Sequence, residues 1–287
     1  MNAELAASYR SAEAVARSRA RNFYYSFVVL PPEKRRALCA VYAFMRYCDD
    51  ISDGSDTLED KRKMLGSWRS LLDAAAKGEF AGSPILPAFN DAVQRFSIPA
   101  DYFHWIIDGA EMDLTIECYQ TFEDLYRYCF HVASAVGLVC LQIFGYTEES
   151  ARKHAEHCGI AFQLTNILRD IKEDAGMGRI YLPAEDLEKF HYTAEDLRNG
   201  IVDARFHELM TYESNRAGQY FEQARSLLPQ VNATSRPALW AMMEIYGRLL
   251  KKIVRRRFDV FHATIHLSSG EKAAIALRAL AMRFLRL

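Results

Sequence analysis

The residues of this chain best suited to chemistry are two pairs of aspartates, each with the spacing D-x-x-x-D. The first pair is Asp49 and Asp53, and the second is Asp170 and Asp174. Residues four apart lie on one face of an α-helix, so each pair projects two carboxylates in the same direction, where they repel each other unless a cation binds them. Carboxylate oxygens suit Mg²⁺, which typically binds one or two carboxylates together with water and substrate phosphates. The spacing therefore predicts a metal at each pair.

An arginine precedes each aspartate pair, Arg46 before the first and Arg169 before the second. The planar guanidinium group binds phosphate through paired hydrogen bonds. Asn166 lies four residues before Asp170 and extends the second pair into a polar stripe, although residues 160–168 are otherwise mostly apolar. Buried polar groups need partners. One D-x-x-x-D on a solvated helix face is common, but two with these neighbours indicate a joint metal–phosphate site.

Aromatic residues accompany both motifs. Phe23 and Phe27 lie before the first motif, Tyr42 lies two turns before Asp49, and Tyr128 begins an apolar run. Aromatic stripes most often form plain core. Beside a site that ionises a diphosphate, however, ring faces would stabilise a cation and shield it from water.

The elements that must position these residues are helices. Apolar residues recur with helical periodicity, and no alternating strand pattern is convincing. Predicted helices cover residues 6–22, 33–52, 58–76, 85–96, 100–118, 122–144, 148–175, 203–228, 236–257 and 270–286. The pattern predicts one all-α domain over residues 1–287, a helical bundle with a central cavity.

The composition narrows the class of protein. The net charge is −1 and the hydrophobic content is 50%, which favours a large core and gives no attraction to nucleic acid. The six cysteines form no C-x-x-C and are expected to be reduced thiols of a cytoplasmic protein. The most apolar stretch, residues 132–144, is shorter than the ~20 residues that span a bilayer. Residues 275–286 are amphipathic, and their arginines could dock reversibly on an anionic membrane, although core packing is the simpler interpretation.

Taken together, these motifs resemble the squalene/phytoene synthase family of head-to-head prenyl synthases over nearly the whole chain. The matching segments are Asn22–Phe27, Tyr42–Asp53, Tyr128–Gly137 and Gly159–Leu182. The segments Glu111–Asp113 and Val132–Gly137 look most like the bacterial presqualene-diphosphate, dehydrosqualene and squalene synthases, with bacterial phytoene synthases close behind.

The resemblance implies an isoprenoid-synthase fold in which Mg²⁺ ions hold two prenyl diphosphates. The implied metal ligands are Asp49, Asp53, Asn166, Asp170 and Asp174. The implied catalytic residues are the four aspartates, Tyr42 and Tyr128, of which Tyr128 matches a tyrosine assigned to proton handling. The implied substrate-binding residues are Arg19, Arg21, Asn22, Phe23, Phe27, Tyr42, Arg46, Val132, Val136, Gly137, Phe162, Gln163, Arg169, Tyr246 and Lys272.

Two positions depart from the family pattern. Asn22 stands where many relatives have serine, and it can still donate a hydrogen bond. Family members often carry a basic residue after a phenylalanine like Phe261, whereas this chain continues with His262. The diphosphate clamp at that end is therefore weaker, or His262 or His266 supplies it.

The expected activity is that of a Mg²⁺-dependent prenyltransferase that condenses two farnesyl diphosphates head to head. The product would be presqualene diphosphate and then squalene, which requires NADPH, or dehydrosqualene. The nearest alternative is a phytoene synthase acting on two geranylgeranyl diphosphates, because pocket depth decides chain length and the sequence does not reveal it. A non-catalytic relative with a role in assembly, or a plain helical scaffold, should have broken aspartate motifs, and both motifs are intact here. Oligomeric state is left open.

Overall fold

The backbone of the protein is helical throughout. A computed structural model describes residues 2–20 and 23–285. Over these ranges it contains no extended strand, and the only β-type pairings are isolated bridges between Cys118 and Ile180 and between Tyr146 and Val231. The predicted all-α class is therefore confirmed.

Fifteen α-helices follow one another in the described ranges, and a π-helical segment joins two of them. The helices are α1 (Ala3–Arg19), α2 (Tyr24–Phe27), α3 (Pro32–Ser52), α4 (Leu58–Ala75), α5 (Leu86–Arg95), α6 (Ala100–Met112), α7 (Phe122–Cys129), α8 (Ala135–Phe144), α9 (Ala151–Gly176), α10 (Ala184–Lys189), α11 (Ala194–Arg198), α12 (Ala204–Ala224), α13 (Leu227–Gln230), α14 (Arg236–Arg255) and α15 (Ser269–Leu285). The π-helical segment (Phe130–Ser134) lies between α7 and α8.

Helix α9 lies at the centre of the bundle. It packs against α7, α8, α12 and α14 and against the π-helical segment, while α3 packs against α1, α5 and α6. Both α3 and α9 have apolar faces buried in the same hydrophobic core. Each aspartate pair lies near the C-terminal end of one of these two helices, so the core positions both motifs.

Two glycines allow close packing around the π-helical segment. A Cβ atom on Gly159 would lie 2.5 Å from the Cα atom of Ser134, and one on Gly109 would lie 2.7 Å from a methyl carbon of Val132. Single π-helical turns are frequent at functional sites because they change the direction in which the following side chains point. Here the π-helical segment separates Tyr128 from Val136 and so sets their relative orientation.

A short extended pairing replaces part of one predicted helix. The helix predicted for residues 100–118 ends at Met112. The chain then runs beside residues 180–185, where Ile180 N–H donates to the Glu117 carbonyl at 2.8 Å and Ala184 N–H donates to the Tyr119 carbonyl at 2.9 Å. These bonds occupy backbone groups that a longer helix would have used.

Most of the other helix boundaries agree with the sequence to within a few residues. The short helices α2, α10, α11 and α13 were not predicted. In addition, α12 ends at Ala224, four residues before the expected boundary. The predicted end of the first helix falls partly on residues 21 and 22, which lie outside the described residues.

The helical rod from Phe122 to Phe144 is longer than the apolar stretch 132–144, which was predicted from the sequence to be too short to span a bilayer. It has 23 residues, and its most apolar 18-residue window has a mean hydropathy of 1.4, so within the described residues it alone is long and apolar enough to cross a bilayer. Half of that window is buried inside the protein. A buried core helix passes the same test, so this is weak support for a membrane span.

Candidate active site

The first aspartate motif lies in the last turn of α3. The negative end of the helix dipole lies there, and no basic residue in that turn compensates for it. Arg46 binds mainly Asp50, at 2.8 Å from Nε to Oδ1, and its Nη1 lies 3.6 Å from Asp49. Arg19 also reaches Asp50, at 3.4 Å. Arg46 and Arg19, two of the implied substrate-binding arginines, thus converge on Asp50, a residue that the sequence did not single out.

The second motif lies in the last three turns of α9, which likewise have no basic residue in the final turn. Arg169 forms two hydrogen bonds with the Asp170 carboxylate. Asn166 donates through Nδ2 to Gln163 at 3.4 Å, but its Oδ1 atom is buried and accepts no hydrogen bond within the described residues. An orphaned carbonyl oxygen of this kind needs a partner such as a cation or a bound water.

Within each motif the carboxylates repel each other. Burial raises the pKa of Asp49 to about 7, and Asp53 and Asp113 raise it further while Arg46 opposes the shift. The Asp49 side chain itself is 57% exposed to solvent, so a ligand can reach it. Burial also raises the pKa of Asp174 to about 7, with Asp170 adding to the shift.

The donor set at the two motifs therefore fits Mg²⁺. It supplies hard carboxylate oxygens, mutual repulsion at the negative ends of two helices, and the unpartnered Oδ1 atom of Asn166. In the described ranges, no three His, Cys, Asp or Glu side chains are close enough to hold one ion by themselves. That spacing fits Mg²⁺ ions that each take one or two carboxylates and complete their shell with water and substrate phosphate.

Asp113, just after α6, links the site to a chain of tyrosines. Tyr181 donates to its Oδ1 atom at 2.9 Å, and Tyr128 donates to the Tyr181 hydroxyl at 3.3 Å. Burial raises the pKa of Asp113, and its interactions with Arg179 and with the hydroxyls of Tyr181 and Tyr128 partly oppose that shift. Burial likewise holds the pKa of Tyr128 well above its usual value. Tyr128 is therefore a neutral phenol connected to a buried carboxylate.

A third tyrosine packs on this pair without joining the chain. The Tyr119 ring lies 5.3 Å from that of Tyr128 and 6.1 Å from that of Tyr181. Its hydroxyl is buried and has no hydrogen-bond partner among the described residues. Tyr119 therefore contributes ring area to the site but no bond to the Tyr128–Tyr181–Asp113 chain.

The predicted aromatic lining forms one continuous wall. Tyr246 stacks on Phe162 with ring centroids 4.2 Å apart, and Phe23 lies 5.6 Å from Tyr246. Phe23 also stacks on Phe27 at 6.4 Å, and Phe27 meets the edge of Tyr42 at 6.3 Å. These five rings come from α3, α9, α14 and the α2 region, so the fold brings together side chains that are far apart in sequence.

The small and aliphatic lining residues lie on one helical rod. Val132 is in the π-helical segment and Val136 and Gly137 are in α8, and all three are half-buried. A Cβ atom on Gly137 would lie 2.9 Å from the Ala155 carbonyl oxygen, so glycine lets α8 approach α9 there. The role of these residues in lining a prenyl pocket stays a prediction.

The structure describes only some of the basic residues expected around the diphosphates. Arg21 and Asn22 lie outside the described residues. Lys272 lies in the first turn of α15, and its contact with a diphosphate stays a prediction. The side chain of His262 is 77% exposed and bonds to Asp259 at 2.8 Å, while His266 contacts the Thr264 carbonyl at 3.2 Å. A role for either histidine in place of the missing basic residue of the diphosphate clamp stays a prediction.

Arg179 is the basic residue that sequence reasoning left out of the site. Its Nη1 atom lies 3.8 Å from Asp53, and its charge lowers the pKa of both Asp113 and Asp174. It therefore lies between the two aspartate motifs. The run Gly178–Pro183, which carries the family resemblance, contained both Arg179 and Tyr181 and was the available signal.

The arrangement can bind a polyanion at one end and enclose an apolar chain at the other. Two aspartate motifs and four arginines, Arg19, Arg46, Arg169 and Arg179, provide the polar end. The aromatic wall provides a dry surface that can stabilise a carbocation. The Tyr128–Tyr181–Asp113 chain offers a route for a proton.

Comparison with known proteins agrees with this geometry. Residues 16–271 match the family model described as squalene/phytoene synthase. The chain is 37% identical over 281 residues to the phytoene synthase of Mycobacterium tuberculosis, covering 97% of this chain and 92% of that protein. It is 34% identical over 285 residues to the 15-cis-phytoene synthase of Synechococcus elongatus, covering 94% and 91%.

Solved structures give the same architecture. A dehydrosqualene synthase in complex with ligand superposes with a TM-score of 0.89 at 26% identity, covering 99% of this chain and 98% of that one. The squalene synthase HpnC from Alicyclobacillus acidocaldarius superposes with a TM-score of 0.84 at 28% identity, covering 90% and 97%.

Proposed function

The chain belongs to the squalene/phytoene synthase family, and we propose that it condenses two prenyl diphosphates head to head with the help of Mg²⁺. The observation that carries this proposal is the pairing of two aspartate motifs on α3 and α9 across Asp113, with the Asn166 Oδ1 atom left unpartnered. A Mg²⁺ ion bound at each motif would offset the repulsion there, and one at the second motif would also give the Asn166 Oδ1 atom a partner.

The residues proposed to hold Mg²⁺ are Asp49 and Asp53 on α3 and Asn166, Asp170 and Asp174 on α9. Bound Mg²⁺ neutralises diphosphate and makes it a better leaving group. Arg46 and Arg169 now bind neighbouring carboxylates, so a diphosphate would compete for guanidinium groups that are already held in place. Arg179, between the motifs, is the further guanidinium that a diphosphate would meet.

The aromatic wall is proposed to protect the allylic cation that forms when the first diphosphate leaves. Tyr42, Phe162 and Tyr246 belong to this wall, and their ring faces are negative enough to stabilise a cation. The double bond of the second substrate then attacks the cation, and loss of one proton closes a cyclopropane ring. The wall keeps water from intercepting the cation before this step.

The proton from ring closure is proposed to leave through Tyr128. The Tyr128 oxygen accepts it while the Tyr128 hydroxyl proton passes to Tyr181 and the Tyr181 proton passes to Asp113. Because burial raises the pKa of Asp113, its carboxylate is a stronger base than an exposed aspartate. The two hydrogen bonds thus move the positive charge of the proton from Tyr128 to Asp113, because a protonated phenol is too acidic to retain it.

Farnesyl diphosphate is the proposed substrate, giving presqualene diphosphate and then squalene or dehydrosqualene. The close aromatic packing of Phe23, Phe27 and Phe162 supports a short pocket, as does the likeness to a dehydrosqualene synthase over 99% of the chain. The phytoene synthases at 34–37% identity favour the alternative, condensation of two geranylgeranyl diphosphates.

A single experiment separates these assignments. Purified protein is incubated with Mg²⁺ and equal amounts of labelled farnesyl and geranylgeranyl diphosphate, with and without NADPH, and the products are separated by chain length. The proposal predicts C30 products, with squalene only when NADPH is present if the reaction ends by reduction. A preference for geranylgeranyl diphosphate assigns phytoene synthase, and no coupling of either substrate contradicts the proposed function.

Membrane contact through α15 is a weaker part of the proposal. Ile275 and Ala279 are buried against the bundle, Arg278 lies over the Trp240 ring at 5.1 Å, and Arg283 donates to the Val29 carbonyl at 2.7 Å. Two of its arginines therefore contact other parts of the protein, although Arg278 remains exposed. A cytoplasmic enzyme that contacts the bilayer only peripherally fits these contacts.

A further inference from the structure

We propose that a cleft between α1 and the start of α3 binds a phosphate group outside the active site. The cleft has a volume of about 400 Å³ and is lined by Ala6, Tyr9, Arg10, Glu13, Pro32, Arg35 and Arg36. Arg35 precedes Asp49 by fourteen residues on the same helix, which places the two about 21 Å apart along the axis. The cleft shares no residue with the aspartate site.

The three arginines of this cleft are largely unpaired. In the part of the chain that the structure describes, the guanidinium groups of Arg10 and Arg35 make no hydrogen bond and no ion pair, and that of Arg36 only donates through Nε to the Pro32 carbonyl at 3.4 Å. Other arginines of the bundle, such as Arg216 and Arg248, bind carboxylates at 2.7 Å. Convergence of unpaired guanidinium groups on one concave surface leaves a site for an anion.

The charge of the lining favours a dianion. Three arginines and one carboxylate, Glu13, give a formal charge of +2. Glu13 forms no ion pair with the lining arginines, so their donors remain available. The Tyr9 hydroxyl donates to Asp91 at 2.6 Å and so does not compete for a ligand.

The geometry favours phosphate as the anion. Guanidinium groups bind phosphate oxygens through paired hydrogen bonds, and several arginines around one small volume suit a compact ligand of high charge. A cleft of about 400 Å³ accommodates a small molecule or a headgroup, whereas an acidic peptide needs a longer surface. The phosphate could belong to free diphosphate or to an anionic lipid.

The test compares two double variants that lose the same charge. Arg10→Gln/Arg35→Gln alters the cleft, and Arg62→Gln/Arg225→Gln removes two exposed arginines from α4 and the end of α12. One arm measures pyrophosphate binding by calorimetry in EDTA, which suppresses metal-dependent binding at the aspartates. The other measures co-sedimentation with phosphatidylcholine vesicles with and without phosphatidylglycerol. Circular dichroism checks the fold of each variant.

The binding affinity of the cleft variant is expected to fall at least tenfold in one arm. The affinity of the control variant should stay within twofold of that of the unaltered protein. Loss in the pyrophosphate arm identifies a free phosphate ligand, and loss only with anionic vesicles identifies a lipid headgroup. Equal behaviour of the two variants in both arms overturns the proposal. Tighter binding of a polyglutamate peptide than of either phosphate source would assign the cleft to an acidic partner and also overturn it. Neither arm depends on prenyl transfer, so this result is independent of the proposed function.

Discussion

The Tyr181 hydroxyl is the middle link between Tyr128 and Asp113, so Tyr181→Phe should interrupt proton transfer while the ring stays in place. The hydroxyl donates to Asp113 at 2.9 Å and accepts from Tyr128 at 3.3 Å. A hydrogen bond to a charged group contributes about 1.5–3 kcal/mol and a neutral one about 0.5–1.5 kcal/mol. Their loss should lower the free energy of unfolding by about 2–4 kcal/mol, less whatever Tyr128 regains by turning to Asp113.

The catalytic effect of Tyr181→Phe should be larger than its effect on stability. Positioned acid–base groups contribute about 10²–10⁴-fold to rate, so kcat should fall by roughly 100-fold or more. Substrate deuterated at the carbon that loses the proton should show a larger isotope effect in the variant, because proton removal becomes slower. A purely structural role would leave that isotope effect unchanged.

Tyr119→Phe is the matched control for this experiment. Its ring packs on the same tyrosines, but its hydroxyl has no partner in the described residues, so both rate and stability should stay near those of the unaltered enzyme. Product formation is measured under single-turnover conditions for both variants. Equal rates and isotope effects in Tyr181→Phe and Tyr119→Phe would refute the proton route.

Three further predictions address stability and chain length. Burial raises the pKa of Glu213 above its ordinary 4.5, although the Arg216 charge opposes the shift, so its contribution to stability is complete below pH 4.5 and lost as pH rises through the raised value. Urea unfolding between pH 5 and 9 should show a stability that falls with pH, and Glu213→Gln should make that fall shallower by at most about 1.4 kcal/mol per pH unit, since the other buried carboxyl groups still titrate; an unchanged slope would contradict this. Gly159→Ala places a Cβ atom 2.5 Å from the Ser134 Cα atom and should lower the free energy of unfolding in denaturant by about 1–3 kcal/mol. Gly176→Ala, with open space around it, should lower it by less than half of that, and equal losses of stability in the two variants would contradict this prediction. Phe27→Ala should raise kcat/KM for geranylgeranyl relative to farnesyl diphosphate by roughly tenfold to a hundredfold in competition, and an unchanged ratio would remove Phe27 from the pocket floor.

The spacing of the aspartates predicted their helices and faces because that information is local. D-x-x-x-D fixes which side chains share a helix face, and the apolar residues around it fix which face is buried. Asp49 and Asp174 accordingly lie near the ends of α3 and α9, and the burial of both raises their pKa to about 7. The partner of Arg46 was harder to predict, because Asp49 and Asp50 are both within its reach and only the side-chain geometry selects Asp50.

The link between Asp113 and Tyr181 could not be read from spacing. The two residues are 68 positions apart and meet because residues 117–120 pair with residues 180–185. That pairing has no helical periodicity and is too short to show strand alternation, so the pattern extended α6 through it. The family resemblance covered Glu111–Asp113 and Gly159–Leu182 but did not say that Asp113 and Tyr181 touch.

The π-helical segment could not be predicted from the sequence for a related reason. Residues 130–134 have the apolar pattern of an ordinary helix, and the extra residue per turn follows from packing against Gly109 and Gly159.

The most direct test of the two-motif metal site is the Mg²⁺ dependence of product formation in Asp49→Asn and Asp170→Asn. Each change removes one proposed ligand oxygen and keeps the side-chain shape. Both variants should lose about two orders of magnitude or more in kcat, the scale of one preorganised electrostatic contact, while Asp56→Asn, an exposed aspartate just beyond α3, should stay within twofold. Near-normal turnover of either variant, with its circular dichroism unchanged, would contradict the account.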